Sequence, residues 1–161
     1  MDLTQTELRT DAETDVLRSI ENAVIQGGDG GVTIDTRTFT GATVLYGGAG
    51  ADRLFSGANN DQLYGFGGDD ILDSGAGNDW LLGSAGRDVL RGGDGNDNLR
   101  GQGGSGDRLI GGAGIDRLDG GGGADIVKRD NNDDVIDDDR DTIIFEASAA
   151  FASANNWLDE V

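Results

Sequence analysis

Residues 92–100 read Gly-Gly-Asp-Gly-Asn-Asp-Asn-Leu-Arg, and this nine-residue frame recurs along the chain. The frames begin at Gly47, Ser56, Gly65, Ser74, Gly83, Gly92, Gly101, Gly111 and Gly120, and the frame from Gly101 has one extra residue. Position 6 is always an aspartate: Asp52, Asp61, Asp70, Asp79, Asp88, Asp97, Asp107, Asp116 and Asp125. Position 8 is always aliphatic: Leu54, Leu63, Leu72, Leu81, Leu90, Leu99, Leu109, Leu118 and Val127. A period this regular predicts a solenoid, in which each repeat packs on its neighbours.

Each frame divides into a turn and a short strand. Glycine tolerates positive φ, so Gly-Gly-x-Gly-x-Asp can curl tightly and direct its carbonyl oxygens inward. The next three residues are predicted to be extended, with position 8 on one side and positions 7 and 9 on the other. Two frames therefore form one coil of eighteen residues. The result is an all-β roll with two short-stranded sheets and ladders of position-8 side chains inside it.

The phased aspartates point to Ca²⁺, which takes about six to eight hard oxygen ligands. One turn offers a single carboxylate and a few carbonyls, whereas two turns stacked on the same edge offer enough. One edge would stack Asp52, Asp70, Asp88, Asp107 and Asp125, and the other Asp61, Asp79, Asp97 and Asp116, with Asp134 as a further candidate. The candidate carbonyl ligands are those of Gly48, Gly50, Gly68, Gly75, Gly77, Gly86, Gly93, Gly95, Gly112, Gly114, Gly121 and Gly123. About seven or eight Ca²⁺ ions would bring the formal charge from −19 to about −5 or −3.

Four frames depart from the glycine pattern. Phe66, Ser84 and Gln102 occupy position 2, and Asn59 occupies position 4. Asparagine tolerates left-handed backbone, whereas phenylalanine and serine do so poorly. Carbonyl ligation survives a change of side chain, so these turns are expected to bind more weakly.

The composition excludes several classes of function. The 161 residues suffice for one domain and include 30 Gly, no Cys and no His. A net charge of −19 argues against nucleic acid as a partner, because its recognition needs clustered Lys and Arg. No apolar run approaches a membrane span, and the first residues lack the features of a Sec signal peptide. Without histidine there is no Ser-His or Cys-His pair, and calcium needs the obvious carboxylates, so we expect no enzyme.

Residues 47–128 resemble the RTX (repeats-in-toxin) calcium-binding β-roll, on the strength of nine consecutive frames. The resemblance implies a right-handed parallel β-roll that folds on binding calcium. It also implies a bacterial, extracellular protein that is exported unfolded through a type I channel. Residues 142–161 are rich in Ala, Ser and Asn and resemble the uncleaved C-terminal signals of type I secretion substrates.

The ends of the chain divide it into four predicted regions. Residues 1–26 are a lead-in or cap, 27–46 are degenerate coils, 47–128 are the calcium-binding repeats, and 129–161 are a cap and candidate secretion signal. In the degenerate coils Val32 and Thr43 replace the aspartate of position 6. Residues 10–25 fit a helix by spacing and an extended lead-in by resemblance, and we favour a strand over residues 20–26.

The outward positions leave alternative functions open. One sheet would display Tyr64, Trp80, Leu82 and Arg100. Ordinary strand propensity accounts for such residues, but they also suit a docking face for an extracellular polysaccharide or a neighbouring domain. A polysaccharide-binding module and a calcium-dependent adhesin or self-assembly segment are therefore the alternatives to a calcium-binding structural module.

Overall fold

The computed structural model of the protein describes residues 6–9, 22–129, 135–136 and 142–145. These residues form fifteen β-strands and no helix. The strands are β1 (Thr6–Arg9), β2 (Asn22–Gln26), β3 (Thr33–Asp35), β4 (Ala42–Gly48), β5 (Arg53–Phe55), β6 (Gln62–Gly67), β7 (Ile71–Ala76), β8 (Trp80–Gly86), β9 (Val89–Asp94), β10 (Asn98–Gly104), β11 (Arg108–Ala113), β12 (Arg117–Asp119), β13 (Ile126–Arg129), β14 (Val135–Ile136) and β15 (Thr142–Phe145).

The strands form two sheets, and from β2 onward successive strands alternate between them. One sheet has the order β1-β2-β4-β6-β8-β10-β12-β14, and the other has the order β15-β13-β11-β9-β7-β5-β3. Neighbouring strands are parallel, and Leu63 pairs with Leu81 just as Leu72 pairs with Leu90. The same position of the frame thus recurs eighteen residues later in the adjacent strand. The predicted parallel β-roll, with about 18 residues per coil, is confirmed.

The core lies between the sheets and consists of two ladders. All nine predicted position-8 residues, and Leu45 before them, have no exposed surface. Ile34 extends one ladder toward the N-terminus, and Ile136 packs against the core at the other end. Each parallel pairing places one aliphatic side chain on the next, and this removes apolar surface from water along the roll.

The coil length departs from eighteen residues at several places, of which two illustrate how the roll adapts. The extra residue of the frame from Gly101 lies between Gly104, which pairs with Gly86 at a spacing of 18, and Asp107, whose partner Asp88 is 19 residues away. Near the N-terminus Ile34 pairs with Leu54, a spacing of 20 residues. The roll absorbs these additional residues in its turns, so the core ladders keep their register.

The strands are longer than the three residues predicted. β8 and β10 each have seven residues and continue through the glycine positions to Gly86 and Gly104. Stacked coils place identical turns side by side, and their backbone groups pair: the N–H of Gly77 donates to the carbonyl of Asp94 at 2.8 Å. The expected turn therefore participates in the sheets, because backbone donors such as those of Ala76 and Gly77 meet acceptors of a neighbouring coil.

The N-terminal region agrees with the strand interpretation where it is described. Residues 22–26 form β2, which pairs with β1 and β4, whereas residues 10–21 lie outside the described part. The strands of residues 27–46 join the same two sheets. Among the described residues there is no helix of the length and apolarity that a bilayer span requires.

Candidate metal centres

The position-6 aspartates form two columns, one on each edge of the roll. Positions 6 and 8 are two residues apart, so both side chains turn toward the inside of the coil. The nine aspartates are between 0% and 3% exposed. We call Asp52, Asp70, Asp88, Asp107 and Asp125 the Asp52 column, and Asp61, Asp79, Asp97 and Asp116 the Asp61 column. The space between two successive aspartates of a column is a gap.

One carboxylate oxygen of each aspartate ties its coil to the coil before it. The backbone N–H of Asp52 donates to Oδ1 of Asp70 at 2.8 Å, and the N–H of Asp70 donates to Oδ1 of Asp88 at 2.9 Å. The same bond continues to Asp107 and Asp125, and it recurs along the Asp61 column. Hydrogen bonds to a charged acceptor are stronger than neutral ones. This bond could not be predicted from the sequence, because its donor is a backbone group.

The bonds continue into the degenerate coils. The N–H of Val32 donates to Oδ1 of Asp52 at 2.7 Å, and the N–H and hydroxyl of Thr43 both donate to Oδ1 of Asp61. Val32 and Thr43 thus occupy position 6, as predicted, and contribute no carboxylate. Asp134, the predicted continuation of the Asp61 column, lies outside the described residues.

The second carboxylate oxygen has no such partner. In Asp52, Asp70, Asp88 and Asp97, Oδ2 is buried and accepts no hydrogen bond. It faces the glycine at position 1 of its own frame so closely that a Cβ there would overlap it. The carbonyl of the next position-1 glycine borders the same point: Gly65 O would lie 2.9 Å from a Cβ on Gly47. Buried anionic oxygen without a donor is costly, and a cation is the group that would satisfy it.

The same burial perturbs the protonation of the columns. Burial raises the pKa of Asp70 and of Asp97 to about 7, and neighbouring carboxylates add to this effect while backbone N–H donors oppose it. Burial also raises the pKa of Asp52, Asp61, Asp79 and Asp88. Without a cation, the charged form of each column is therefore disfavoured.

Carbonyl oxygens border the gaps as well. Eleven of the twelve predicted glycines have positive φ, and Gly50 is the exception. A Cβ on Gly93 or Gly95 would overlap the carbonyl oxygen of Gly75 or Gly77, the same position one coil earlier. The carbonyls of positions 2 and 4 thus point along the column toward the next coil. Asn59, Phe66, Ser84 and Gln102 adopt positive φ, as predicted for left-handed turn positions.

The prediction overlooked Gly104, which has φ of 134° at position 4 of the frame from Gly101. Its place was obscured because the extra residue disturbs the spacing of that frame. No three carboxylates of the described residues meet at one point. Any metal held in a gap must therefore take most of its ligands from backbone carbonyls, which suits a hard cation such as Ca²⁺.

The outer face of the first sheet carries aromatic side chains that contact one another. The rings of Tyr46 and Tyr64 stack with centroids 5.1 Å apart, and Phe66 lies 6.0 Å from Tyr46. The guanidinium of Arg100 lies over the ring of Trp80, 5.0 Å from its centroid.

A sequence profile described as the RTX calcium-binding nonapeptide repeat (4 copies) matches residues 46–81, 73–106 and 102–136. These matches together span more than half of the chain and include all nine aspartates. No curated protein and no solved structure matches the chain. Repeats of this family form calcium-binding β-rolls with a structural role. The chain belongs to the RTX calcium-binding nonapeptide repeat family.

Proposed function

We propose that the protein is a structural module that folds as it binds several Ca²⁺ ions outside the cell. The observation that carries this proposal is the buried Oδ2 without a hydrogen-bond donor in Asp52, Asp61, Asp70, Asp79, Asp88 and Asp97. Hydrogen bonds from the backbone already satisfy Oδ1 of each aspartate. Each carboxylate therefore uses Oδ1 in the fold and leaves Oδ2 for the cations of the gaps on either side of it.

The ligands would be Oδ2 of the nine aspartates and the carbonyls of the predicted glycines. Each gap lies between two coils, so one aspartate in the middle of a column would serve two ions. The Asp52 column has four gaps and the Asp61 column has three, with a fourth if Asp134 takes part. About seven or eight ions would then be bound.

Calcium would supply the stability that the columns lack. Stacked carboxylates in a chain of net charge −19 repel one another, and thirty glycines raise the entropy cost of folding. A ligand present at ten times its Kd adds about 1.4 kcal/mol per site to the folded state. Several such sites approach the net stability of a whole domain, about 5–15 kcal/mol. We therefore infer that the chain is unfolded where calcium is scarce.

The coupling of folding to calcium binding is compatible with export of the chain in an unfolded state. RTX repeats are typical of secreted bacterial proteins. A chain that stays unfolded at low intracellular calcium can pass a type I channel and fold in millimolar calcium outside. Residues 129–161 would then serve as a cap and as the secretion signal, and residues 1–26 as the opposite cap.

Calorimetric titration of calcium into two variants tests the sharing of ligands. Asp88→Asn in the middle of its column should remove about two ions, and Asp52→Asn at the head of the same column about one. Asparagine keeps an oxygen that can accept the N–H of the preceding coil, so the fold is spared as far as possible. Equal losses in the two variants would contradict shared sites.

The repeats carry no catalytic role in this proposal. We also propose no polysaccharide-binding function. The rings of Tyr46, Tyr64 and Phe66 stack on one another, and Arg100 covers Trp80, so a sugar would meet ring edges instead of an open aromatic platform.

A further inference from the structure

The two columns differ at position 1 of the frame. Every frame of the Asp52 column begins with glycine, whereas the first two frames of the Asp61 column begin with Ser56 and Ser74. Both serines are buried, at 2% and 0% exposure. They occupy the place where a Cβ in a glycine frame would overlap Oδ2 of the aspartate. A serine side chain therefore lies inside the turn, where the other column has only carboxylate and carbonyl oxygens.

The serine hydroxyls donate across the gaps. Oγ of Ser56 donates to the carbonyl of Ser74 at 2.9 Å, and Oγ of Ser74 donates to the carbonyl of Gly92 at 2.9 Å. These are the position-1 carbonyls of the next coil, equivalent to the Gly65 carbonyl that borders Oδ2 of Asp52. In these two gaps an O–H group donates to the position-1 carbonyl, whereas a glycine gap has no side chain there to do so.

The carboxylates do not distinguish the two kinds of gap. Oδ2 of Asp61 and of Asp79 is buried without a hydrogen-bond partner, as it is in the glycine frames of Asp70 and Asp88. The difference therefore lies at the position-1 carbonyl, to which the serine hydroxyl donates.

We propose that Ser56 and Ser74 divide the calcium sites into two classes, with the gaps Asp61–Asp79 and Asp79–Asp97 binding calcium most weakly. The proposal rests on the proposed calcium-binding function and ranks the sites within it. The hydroxyls link the coils of these gaps without metal. The glycine gaps, which lack such a link, take calcium first as its concentration rises.

The test compares two matched aspartates by calorimetric titration of CaCl₂ into the full chain. Asp79 adjoins only the two serine gaps, and Asp88 adjoins only glycine gaps. Both are buried in the middle of a column and accept one backbone N–H through Oδ1. Asp88→Asn should lose about two ions from the tight phase of the titration, whereas Asp79→Asn should lose them from the weak phase. Loss from the same phase in both variants would overturn the proposal.

The double variant Ser56→Gly/Ser74→Gly tests the hydroxyls directly. It should tighten the weak phase at least about tenfold, and Ser105→Gly, an exposed serine outside position 1, is the control that should leave that phase unchanged. An unchanged or weaker phase in the double variant would overturn the proposal, and a weaker one would indicate that the hydroxyl oxygens bind the ion. A wild-type chain that takes up no calcium at millimolar concentration would instead refute the calcium-binding function itself.

Discussion

Glycines in the turns meet two different physical requirements. At position 1 the requirement is space, because Oδ2 of the aspartate occupies the place of a Cβ, as at Gly47 and Gly65. At positions 2 and 4 the requirement is conformation, because the backbone has positive φ there. The carbonyl oxygen of the same position in the preceding coil is also close. Serine is nevertheless accommodated at position 1, where Ser56 and Ser74 are buried. Side chains at positions 2 and 4, such as Phe66 and Ser84, carry the strain of left-handed backbone.

A comparison of Gly95 with Gly67 tests whether a glycine is needed for its conformation or whether the loss of any turn glycine has the same effect. Gly95 has φ of 133°, and a Cβ there would overlap the carbonyl of Gly77, whereas a Cβ on Gly67 would meet nothing within 4 Å. Gly95→Ala should lower the free energy of unfolding in saturating calcium by at least about 2 kcal/mol. Gly67→Ala should leave it unchanged or raise it slightly, because alanine restricts the unfolded chain. Urea unfolding measures both, and equal values would contradict the turn geometry.

The raised pKa values of Asp70 and Asp97 predict how pH affects the metal-free chain. Both pKa values, about 7, lie above the ordinary value of 3.8, so the folded state holds more protons than the unfolded state between these limits. The metal-free fold is therefore favoured below about pH 4, and this advantage is lost as the pH rises through about 7.

Calcium competes with the same protons wherever the metal-free roll is folded. Binding to the folded metal-free roll at pH 7 should release protons, and the apparent affinity should fall between pH 8 and pH 6. Calorimetry in buffers of different ionisation enthalpy counts the protons, and Asp70→Asn should release fewer than the wild type. Binding without proton release, and with the same affinity at pH 6 and pH 8, would show that the aspartates are already ionised before calcium binds, as they are in an unfolded chain.

The coil of eighteen residues is the unit in which the strands acquire their stability. A single strand contributes one buried aliphatic residue, and only pairing with the strands before and after it buries that residue completely. Leu63, Leu81 and Leu99 form one such series. The Oδ1 bonds link the same coils at their edges, so each coil is held by apolar contacts at its centre and by carboxylates at its ends.

Two adjacent leucines test the ladder. Leu81 has no exposed surface, and Leu82 lies on the outer face of the same strand and is partly exposed. Leu81→Ala should lower the free energy of unfolding in calcium by about 3 kcal/mol, because a cavity remains between two coils. Leu82→Ala should cost about 1 kcal/mol or less. Urea unfolding compares the two variants, and a similar cost would show that the inner ladder does not carry the core.

The nine-residue period predicted the ladders and the two columns because position 8 and position 6 carry a distinctive side chain in every frame. It did not predict the length of β8 and β10, since these strands extend through backbone pairing of glycines. It could not reveal the Oδ1 bonds either, because their donors are backbone N–H groups. The contacts of Ser56 and Ser74 could not be predicted either, because their hydroxyls donate to backbone carbonyls of the next coil.

The roll as a whole places its aspartate columns in buried positions, where an unpaired charge is most costly. Nine buried carboxylates lie in two columns within a chain of net charge −19. The core ladders alone bury about one side chain per nine residues, which is little apolar surface for a chain with 30 Gly. Calcium in the gaps would both neutralise the columns and connect successive coils. The fold and the binding of calcium are therefore expected to be one transition.

The most direct test is a calcium titration of the full chain, followed by far-UV circular dichroism at pH 8, above the pKa of about 7 that Asp70 and Asp97 reach. The chain should be disordered in EGTA and should acquire a β-spectrum cooperatively as Ca²⁺ reaches millimolar concentration. Mg²⁺ should not replace it, because Mg²⁺ demands strict octahedral geometry and loses its water reluctantly. A β-rich spectrum in EGTA that calcium leaves unchanged would contradict calcium-coupled folding.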